Sequence, residues 1–111
     1  MTRAKVGDPV FAVLSANENT VRFLGFGVRA EDRVPEEAVG WMAECLREHQ
    51  VPNVCIELEN GKRVYGCECW WAARDSYDKV VGTATIEHVD IDEVRAAHRA
   101  EQAKEEEKNN G

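Results

Sequence analysis

PNVCIELENGKRVYGCECWW, residues 52–71, is the stretch that decides the fold of this chain. Val54, Ile56 and Leu58 alternate with more polar neighbours, which is the period of two expected of a half-buried strand. Asn60-Gly61 follows, and this dipeptide favours a two-residue type I′ turn between antiparallel strands. The stretch therefore predicts a β-hairpin whose second strand continues to Trp71.

A two-residue loop would also fix the register of the hairpin, with Glu59 facing Lys62 and Ile56 facing Tyr65. In that register one face, with Arg63 at its turn end, is the predicted core and carries Val54, Ile56, Leu58, Tyr65, Cys67, Cys69 and Trp71. The other face carries Cys55, Val64, Gly66, Glu68 and Trp70. This second face is more apolar than a face that only meets solvent.

The composition indicates one folded, acidic domain. The chain has 111 residues, of which 43% are hydrophobic, and a net charge of −7. We expect a single domain over residues 1–104 and a charged, flexible tail over residues 105–111. The charge argues against a surface for long nucleic acids or anionic membranes. No apolar run approaches the roughly 20 residues of a membrane span, and we expect a cytoplasmic protein with reduced cysteines.

The remaining sequence predicts short strands and two helices. Strands are expected at residues 10–14, 20–29 and 79–89, a loop at 72–78, and helices at 36–49 and 91–104. Asp90 and Glu93 fit a capping box at the start of the last helix. The predicted class is α+β: a small curved antiparallel sheet or SH3-like partial barrel with one inserted helix and a C-terminal helix. The thin apolar face of the last helix predicts packing on the barrel or a homo-oligomer.

Four metal-ligating residues come together if the inserted helix packs on the predicted core face. Cys45 and His49 are four residues apart on that helix, and Cys67 and Cys69 share the strand face. Three thiolates and one imidazole would suit a structural zinc ion. Free cysteines are also among the most buried residue types, and the alternative is that these cysteines are ordinary core thiols with no cofactor.

An aromatic and arginine set is the most suggestive candidate for ligand binding. Its members lie on the predicted second hairpin strand and on the last helix: Tyr65, Trp70, Trp71, Arg63, Arg95 and Arg99. Tryptophan stacks on bases and arginine forks match phosphate oxygens. In the alternative reading the aromatic residues fill the core and the arginines only solubilise the helix. Ser15 and Ser76 lie in predicted turns, and no arrangement for nucleophilic catalysis is evident, so we expect a non-enzymatic protein.

Four segments of the sequence resemble a family of small phage and prophage proteins. These are Val6-Gly7-Asp8, Phe23-Leu24-Gly25-Phe26-Gly27-Val28, Ile56-Glu57-Leu58-Glu59-Asn60-Gly61-Lys62 and Val64-Tyr65-Gly66-Cys67-Glu68-Cys69-Trp70-Trp71. The layout, a β-rich body with one inserted and one terminal helix, is similar to the Thoeris anti-defence sponges. The resemblance implies a protein that binds cyclic ADP-ribose signals of host immune enzymes and sequesters them without cleavage.

Three functional hypotheses follow from the sequence. The first is a binding protein that sequesters a small, anionic cyclic nucleotide. The second is a protein–protein interaction module, or an inhibitor of a host defence enzyme, with Trp41 or Trp70 as its anchor. The third is a domain stabilised by zinc.

Overall fold

A computed structural model describes residues 4–110, with side chains described for residues 4–107. The strands are β1 (Pro9–Ala16), β2 (Thr20–Arg33), β3 (Asn53–Leu58), β4 (Arg63–Tyr65), β5 (Trp70–Ala73) and β6 (Thr85–His88). The helices are α1 (Trp41–Glu48), α2 (Tyr77–Val81) and α3 (Ile91–Asn110), and a 3₁₀ turn at Arg74–Ser76 precedes α2. No helix in this described part is long and apolar enough to cross a membrane.

The strands form one open sheet in the order β4-β3-β2-β1-β5. All neighbours along this path are antiparallel, and β6 pairs with the first residues of β2 in the parallel direction. The α+β class and the small curved sheet are thereby confirmed. The one parallel pairing is that of the short strand β6 with the start of β2.

The long strand β2 pairs with β1, β3 and β6 along different parts of its length. A β-bulge interrupts its pairing with β1, where Ala12 faces Gly25 and Val13 faces Phe23. At Gly27 the backbones of β2 and β3 come so close that a Cβ atom would lie 2.1 Å from the carbonyl oxygen of Glu57. A glycine is therefore required at residue 27.

Apolar side chains cover both faces of the sheet. One face carries the cluster Val10, Ala12, Leu24, Ile56, Leu58 and Val64, into which Ile91 of α3 inserts. On the opposite face, Tyr77 of α2 packs on Phe11, Phe23 and Phe26 with ring centroids 4.9–5.4 Å away. Also on that face, Ala38 and Ala43 cover Cys55 and Tyr65. The helices thus close a core that the sheet alone would leave exposed.

The predicted register of the hairpin is wrong by one residue. Cys55 faces Tyr65 and Ile56 faces Val64, and the loop has three residues because the N–H of Leu58 bonds to the carbonyl of Lys62. Gly61 takes a positive φ of 86°, whereas Asn60 does not. Tyr65 and Val64 consequently exchange faces relative to the prediction.

The predicted second hairpin strand also ends early. β4 stops at Tyr65, a turn follows, and Trp70 and Trp71 belong to β5, which pairs with β1. The Asn53 side chain accepts a hydrogen bond from the N–H of Cys67 at 2.8 Å and holds this turn. The prediction that Arg63, Tyr65, Trp70 and Trp71 share one strand is therefore wrong.

The bounds of the helices differ from the predicted ones. α1 begins at residue 41, not 36, because Gly40 has a φ of 104° and Arg47 donates hydrogen bonds to the carbonyls of Pro35 and Ala38, which hold the preceding loop. Residues 77–81 are helical, although residues 77–78 were predicted as loop and residues 79–81 as strand. The helix forms because Tyr77 packs on the phenylalanines of the sheet and Val81 is buried. α3 extends to Asn110, and the predicted division into a domain and a flexible tail at residue 104 stays a prediction.

Candidate functional site

An open groove lies beside β5, the last strand at one end of the sheet. Its volume is about 580 Å³. All four residues of β5 line it, together with Val54, Gly66 and Cys69. The groove arises because β5 pairs only with β1, while the turn after β4 curves back toward it. Such clefts at the open side of a small sheet are common ligand sites.

Two tryptophans form most of the aromatic surface of the groove. Trp70 pairs with Val13 and Trp71 with Ala12, which places the two indoles on opposite faces of the sheet. Trp70 is 50% exposed and packs edge-on against Phe11 with ring centroids 5.9 Å apart. Trp71 is partly buried against the core cluster that contains Ile56 and Leu58. The prediction that Trp70 points away from the face of Trp71 is confirmed.

Arg29 of β2 supplies the charge of the groove. It faces Ile56 of β3, and its guanidinium carbon lies 5.5 Å from the centroid of the Trp71 ring, a cation–π distance. Nη1 donates to the carbonyl of Ala4 at 2.8 Å, and Nη2 donates to Asp32 at 2.9 Å. Its buried Nε has no hydrogen-bond partner among the described residues. Arg29 is the only charged residue in the described lining.

Sequence reasoning missed Arg29. The signal was present, because alternation along β2 places residue 29 on the same side as Gly27 and opposite the inward-facing Ile56. A charged residue at an inward strand position is uncommon and has to be explained by a partner or a site.

Arg95, predicted to bind phosphate, is buried and already paired. It is 5% exposed, and its Nε and Nη2 donate to the two carboxylate oxygens of Glu68 at 3.1 and 2.6 Å. Nη2 also donates to the carbonyl of Arg63 at 2.9 Å. Burial alone would lower the pKa of Arg95, but the hydrogen bonds and charge of Glu68 raise it above its ordinary value. This fully satisfied pair belongs to the architecture of the fold.

Tyr65 is equally unavailable for stacking. It is fully buried beneath α1, and its hydroxyl donates to Glu37 at 2.7 Å. Burial, followed by this hydrogen bond, raises its pKa well above the ordinary value of 10.0. The prediction that Tyr65 lies on a ligand-binding surface is wrong, because the register is shifted by one residue and the ring lies on the opposite face of the sheet.

The two remaining predicted arginines lie outside the groove. Arg63 is half-exposed with Nε 3.6 Å from Glu57, and Arg99 donates a long 3.4 Å hydrogen bond to the carbonyl of Glu37. Of the predicted six residues, the structure therefore brings only Trp70 and Trp71 together in the groove.

The predicted zinc ligands are dispersed. Cys45 and His49 are exposed on and after α1, while Cys67 packs near Cys55 and Cys69 packs in the first core cluster. Cys67 and Cys69 do not share a strand face, because both lie in the turn after β4. Within the described residues, no three His, Cys, Asp or Glu side chains are grouped closely enough to hold a metal ion.

Burial governs the chemistry of the inner thiols. It raises the pKa of Cys69 to about 12, and the nearby Glu68 carboxylate acts in the same direction. Burial also raises the pKa of Cys55 and Cys67. These thiols are protonated near neutral pH and make poor nucleophiles.

Comparisons with known proteins return no relative for this chain: no family model, no curated protein and no solved structure matches it.

Proposed function

We propose that this chain is a non-enzymatic, phage-type binding protein that sequesters a small cyclic nucleotide immune signal in the cytoplasm. The observation that carries the proposal is the groove of about 580 Å³ that Trp70, Trp71 and Arg29 line, with the Arg29 guanidinium carbon 5.5 Å from the centroid of the Trp71 ring. An indole offers a stacking surface to any base. The Arg29 guanidinium would bind a phosphate or ribose oxygen in exchange for its present hydrogen bonds to the Ala4 carbonyl and to Asp32.

The same groups favour binding over conversion. An indole supplies no general base, and an arginine side chain stays protonated at all working pH values. Base stacking on an aromatic side chain contributes about 1–3 kcal/mol per base as measured by alanine substitution. Trp70 and Trp71 lie on opposite faces of β5, so a ligand ring in the groove stacks on one indole and not between the two.

Calorimetric titration with cyclic ADP-ribose, and with a panel of cyclic mono- and dinucleotides, tests this proposal. We expect one of these ligands to bind and to raise the melting temperature. Trp70→Ala should weaken its affinity by about 5- to 150-fold, the equivalent of one stacked base. Trp41→Ala is the matched control, because this indole is 77% exposed and lies outside the described groove lining.

Mass spectrometry of the ligand recovered from the complex separates sequestration from catalysis. We expect the recovered molecule to have its original mass after prolonged incubation. The proposed site would be contradicted if no ligand of the panel bound, or if the Trp70→Ala and Trp41→Ala variants lost the same amount of affinity.

A second candidate is a protein–protein interaction module. The observation that favours it is the exposure of two apolar residues in the first turn of α1: Trp41 is 77% exposed and Met42 is 46% exposed. Exposed tryptophans are common anchors of protein interfaces. In this case Trp41→Ala, and not Trp70→Ala, should abolish inhibition of the partner enzyme, so the same two variants discriminate between the candidates.

A further inference from the structure

Residues 4–8 form a short strap that lies beside β2. The N–H of Gly7 donates to the carbonyl of Arg29 at 2.7 Å, and the N–H of Arg29 donates to the carbonyl of Asp8 at 3.0 Å. A turn closes within the strap, because the N–H of Asp8 donates to the carbonyl of Lys5 at 2.9 Å and the N–H of Lys5 donates to the Asp8 carboxylate at 2.8 Å. Gly7 takes a φ of 93° in this turn.

The side chain of Arg29 holds the first residue of the strap. Its Nη1 donates to the carbonyl of Ala4 at 2.8 Å, and both residues line the groove. Among the described residues, this guanidinium is the one hydrogen-bond partner of the Ala4 carbonyl. Ala4 is 7% exposed, but its methyl group buries little apolar area, and Lys5 and Val6 are exposed. The position of Ala4 therefore depends strongly on Arg29.

An oxyanion in the groove would compete with the strap for Arg29. A carbonyl has no net charge, whereas a phosphate attracts the guanidinium with its full charge. The carboxylate of Asp32, the other partner of Arg29, is 49% exposed and can exchange this bond for water. The buried Ala4 carbonyl cannot do so in place, and a buried acceptor without a donor is costly. Loss of the guanidinium should thus move Ala4 toward water.

We propose that Arg29 holds the strap closed through the Ala4 carbonyl, and that an oxyanion which takes the guanidinium releases the strap and widens the groove. Gly7 is the point about which residues 4–6 turn, since residues 7 and 8 stay paired with the backbone of Arg29. Release by a ligand rests on the proposed function, whereas the closed strap is a property of the unliganded chain. Because linkage is reciprocal, a change that loosens the strap should strengthen anion binding.

Amide hydrogen exchange at Lys5 tests the closed strap in the unliganded chain. Arg29→Gln should speed this exchange by at least about tenfold, because the strap loses its charged donor. Arg22→Gln, at an exposed arginine of the same strand, is the matched control and should leave the exchange unchanged. The amides of Asn19 and Thr20, hydrogen-bonded in the turn between β1 and β2, should keep their rates in both variants and so report that the fold is intact.

Inorganic pyrophosphate is the probe for release, because it carries charge but no base that could stack. Compared with sodium chloride of equal ionic strength, it should speed exchange at Lys5 by at least about tenfold in the wild-type chain and not in Arg29→Gln. Ala4→Gly removes the buried methyl group without changing the charge, so it should lower the pyrophosphate concentration for half of the effect by about threefold. Ala103→Gly, on an exposed part of α3, should not change that concentration.

Two results would overturn the inference: unchanged exchange at Lys5 in Arg29→Gln, or unchanged exchange at Lys5 in the wild-type chain with pyrophosphate. The proposed function can fail separately. If pyrophosphate releases the strap and no nucleotide of the panel binds, the strap is confirmed and the nucleotide proposal is wrong. If a nucleotide binds and exchange at Lys5 stays slow, the nucleotide proposal holds and release of the strap by its ligand is wrong.

Discussion

At the scale of single residues, Arg95 shows how burial decides what a charged side chain does. Its spacing from Arg99 suggested a pair of phosphate ligands, but the side chains of Arg95 and Glu68 are only 6% and 7% exposed in their ion pair. A buried charge without its partner is strongly destabilising, typically by about 3–5 kcal/mol. The two arginines of one helix therefore have different roles.

We predict that Arg95→Ala lowers the free energy of unfolding by about 3 kcal/mol, because it leaves Glu68 buried and unpaired. Arg99→Ala, the matched control on the exposed side of α3, should change it by less than about 0.5 kcal/mol. Urea denaturation followed by tryptophan fluorescence measures both values. Equal effects of the two substitutions would show that the buried pair does not stabilise the fold.

Replacing both partners with apolar residues should not restore full stability. Glu68 also accepts the N–H of Tyr65 at 3.1 Å, so a double variant with Arg95→Met and Glu68→Leu loses this bond as well. Recovery to the wild-type stability would mean that this hydrogen bond contributes nothing.

The thiols give a second prediction at this scale. Because the pKa of Cys69 is raised to about 12, only roughly one Cys69 side chain in ten thousand should be deprotonated at pH 8. Cys55 is fully buried, and the pKa of Cys67 is also raised by burial, whereas Cys45 is exposed. Iodoacetamide at pH 8 should therefore modify Cys45 first, as measured by intact mass, and Cys45→Ser should remove that fast phase. Rapid modification of Cys69 in the native protein would contradict this order.

At the scale of elements, the start of α3 combines a cap with an ion pair. Asp90 accepts the N–H of Asp92 at 2.8 Å and pairs with Lys62 of the hairpin loop. Hydrogen bonding to Lys62 lowers the pKa of Asp90 below 3.8. The capping role of Asp90 was predictable from sequence because it depends on neighbouring residues only.

We predict that Asp90→Ala lowers the melting temperature at pH 7 but not at strongly acidic pH. A depressed pKa means that the charged form stabilises the folded state fully above pH 3.8, and that this contribution is lost as pH falls through the lower folded value. The difference from wild type should thus shrink below about pH 3.8. Melting curves from pH 7 to pH 2 measure it, with the exposed Glu106→Ala as control. If the difference in melting temperature did not change with pH, the charge of Asp90 would not contribute to stability, and only its capping hydrogen bonds would.

The hairpin shows what sequence cannot decide. Asn60-Gly61 correctly predicts a tight turn, but both two- and three-residue loops can place Gly61 at a positive φ. The choice between them shifts the register by one and exchanges Tyr65 with Val64. Packing makes that choice, because Tyr65 finds Glu37 and the underside of α1 only in the observed register. The same limit applies to residues 79–81, whose two β-branched valines suit a strand, whereas the packing of Tyr77 on the sheet favours a helix.

At the scale of the whole molecule, the site depends on topology more than on local pattern. Trp70 and Trp71 were recognisable from their residue types, but Arg29 reaches Trp71 from a strand more than 40 positions earlier in the sequence. The burial of Arg95 also depends on a long-range contact, here its pairing with Glu68. Neither property is encoded in a stretch of neighbouring residues, which is why sequence reasoning chose Arg63, Arg95 and Arg99 as the arginines of the site and not Arg29.

The distal part of α3 leads to the last prediction, that this chain forms a homo-oligomer through that helix. α3 has 20 residues, yet from Ala96 to Glu107 every side chain except Gln102 is exposed. Isolated helices of this kind are marginal in water, since most helical stability comes from packing. A second copy that packs on the exposed Ala96, Ala100 and neighbouring residues would supply it.

Sedimentation velocity should therefore show an assembly larger than one chain at micromolar concentration. Ala96→Glu combined with Ala100→Glu should dissociate it, because like charges would then meet across the helix pair, while Glu107→Gln at the far end should not. Amide exchange in residues 96–107 should be slow in the wild-type chain and fast in the dissociated variant. A monomeric chain whose distal helix exchanges rapidly would contradict the prediction, since the helix would then be frayed and without a partner.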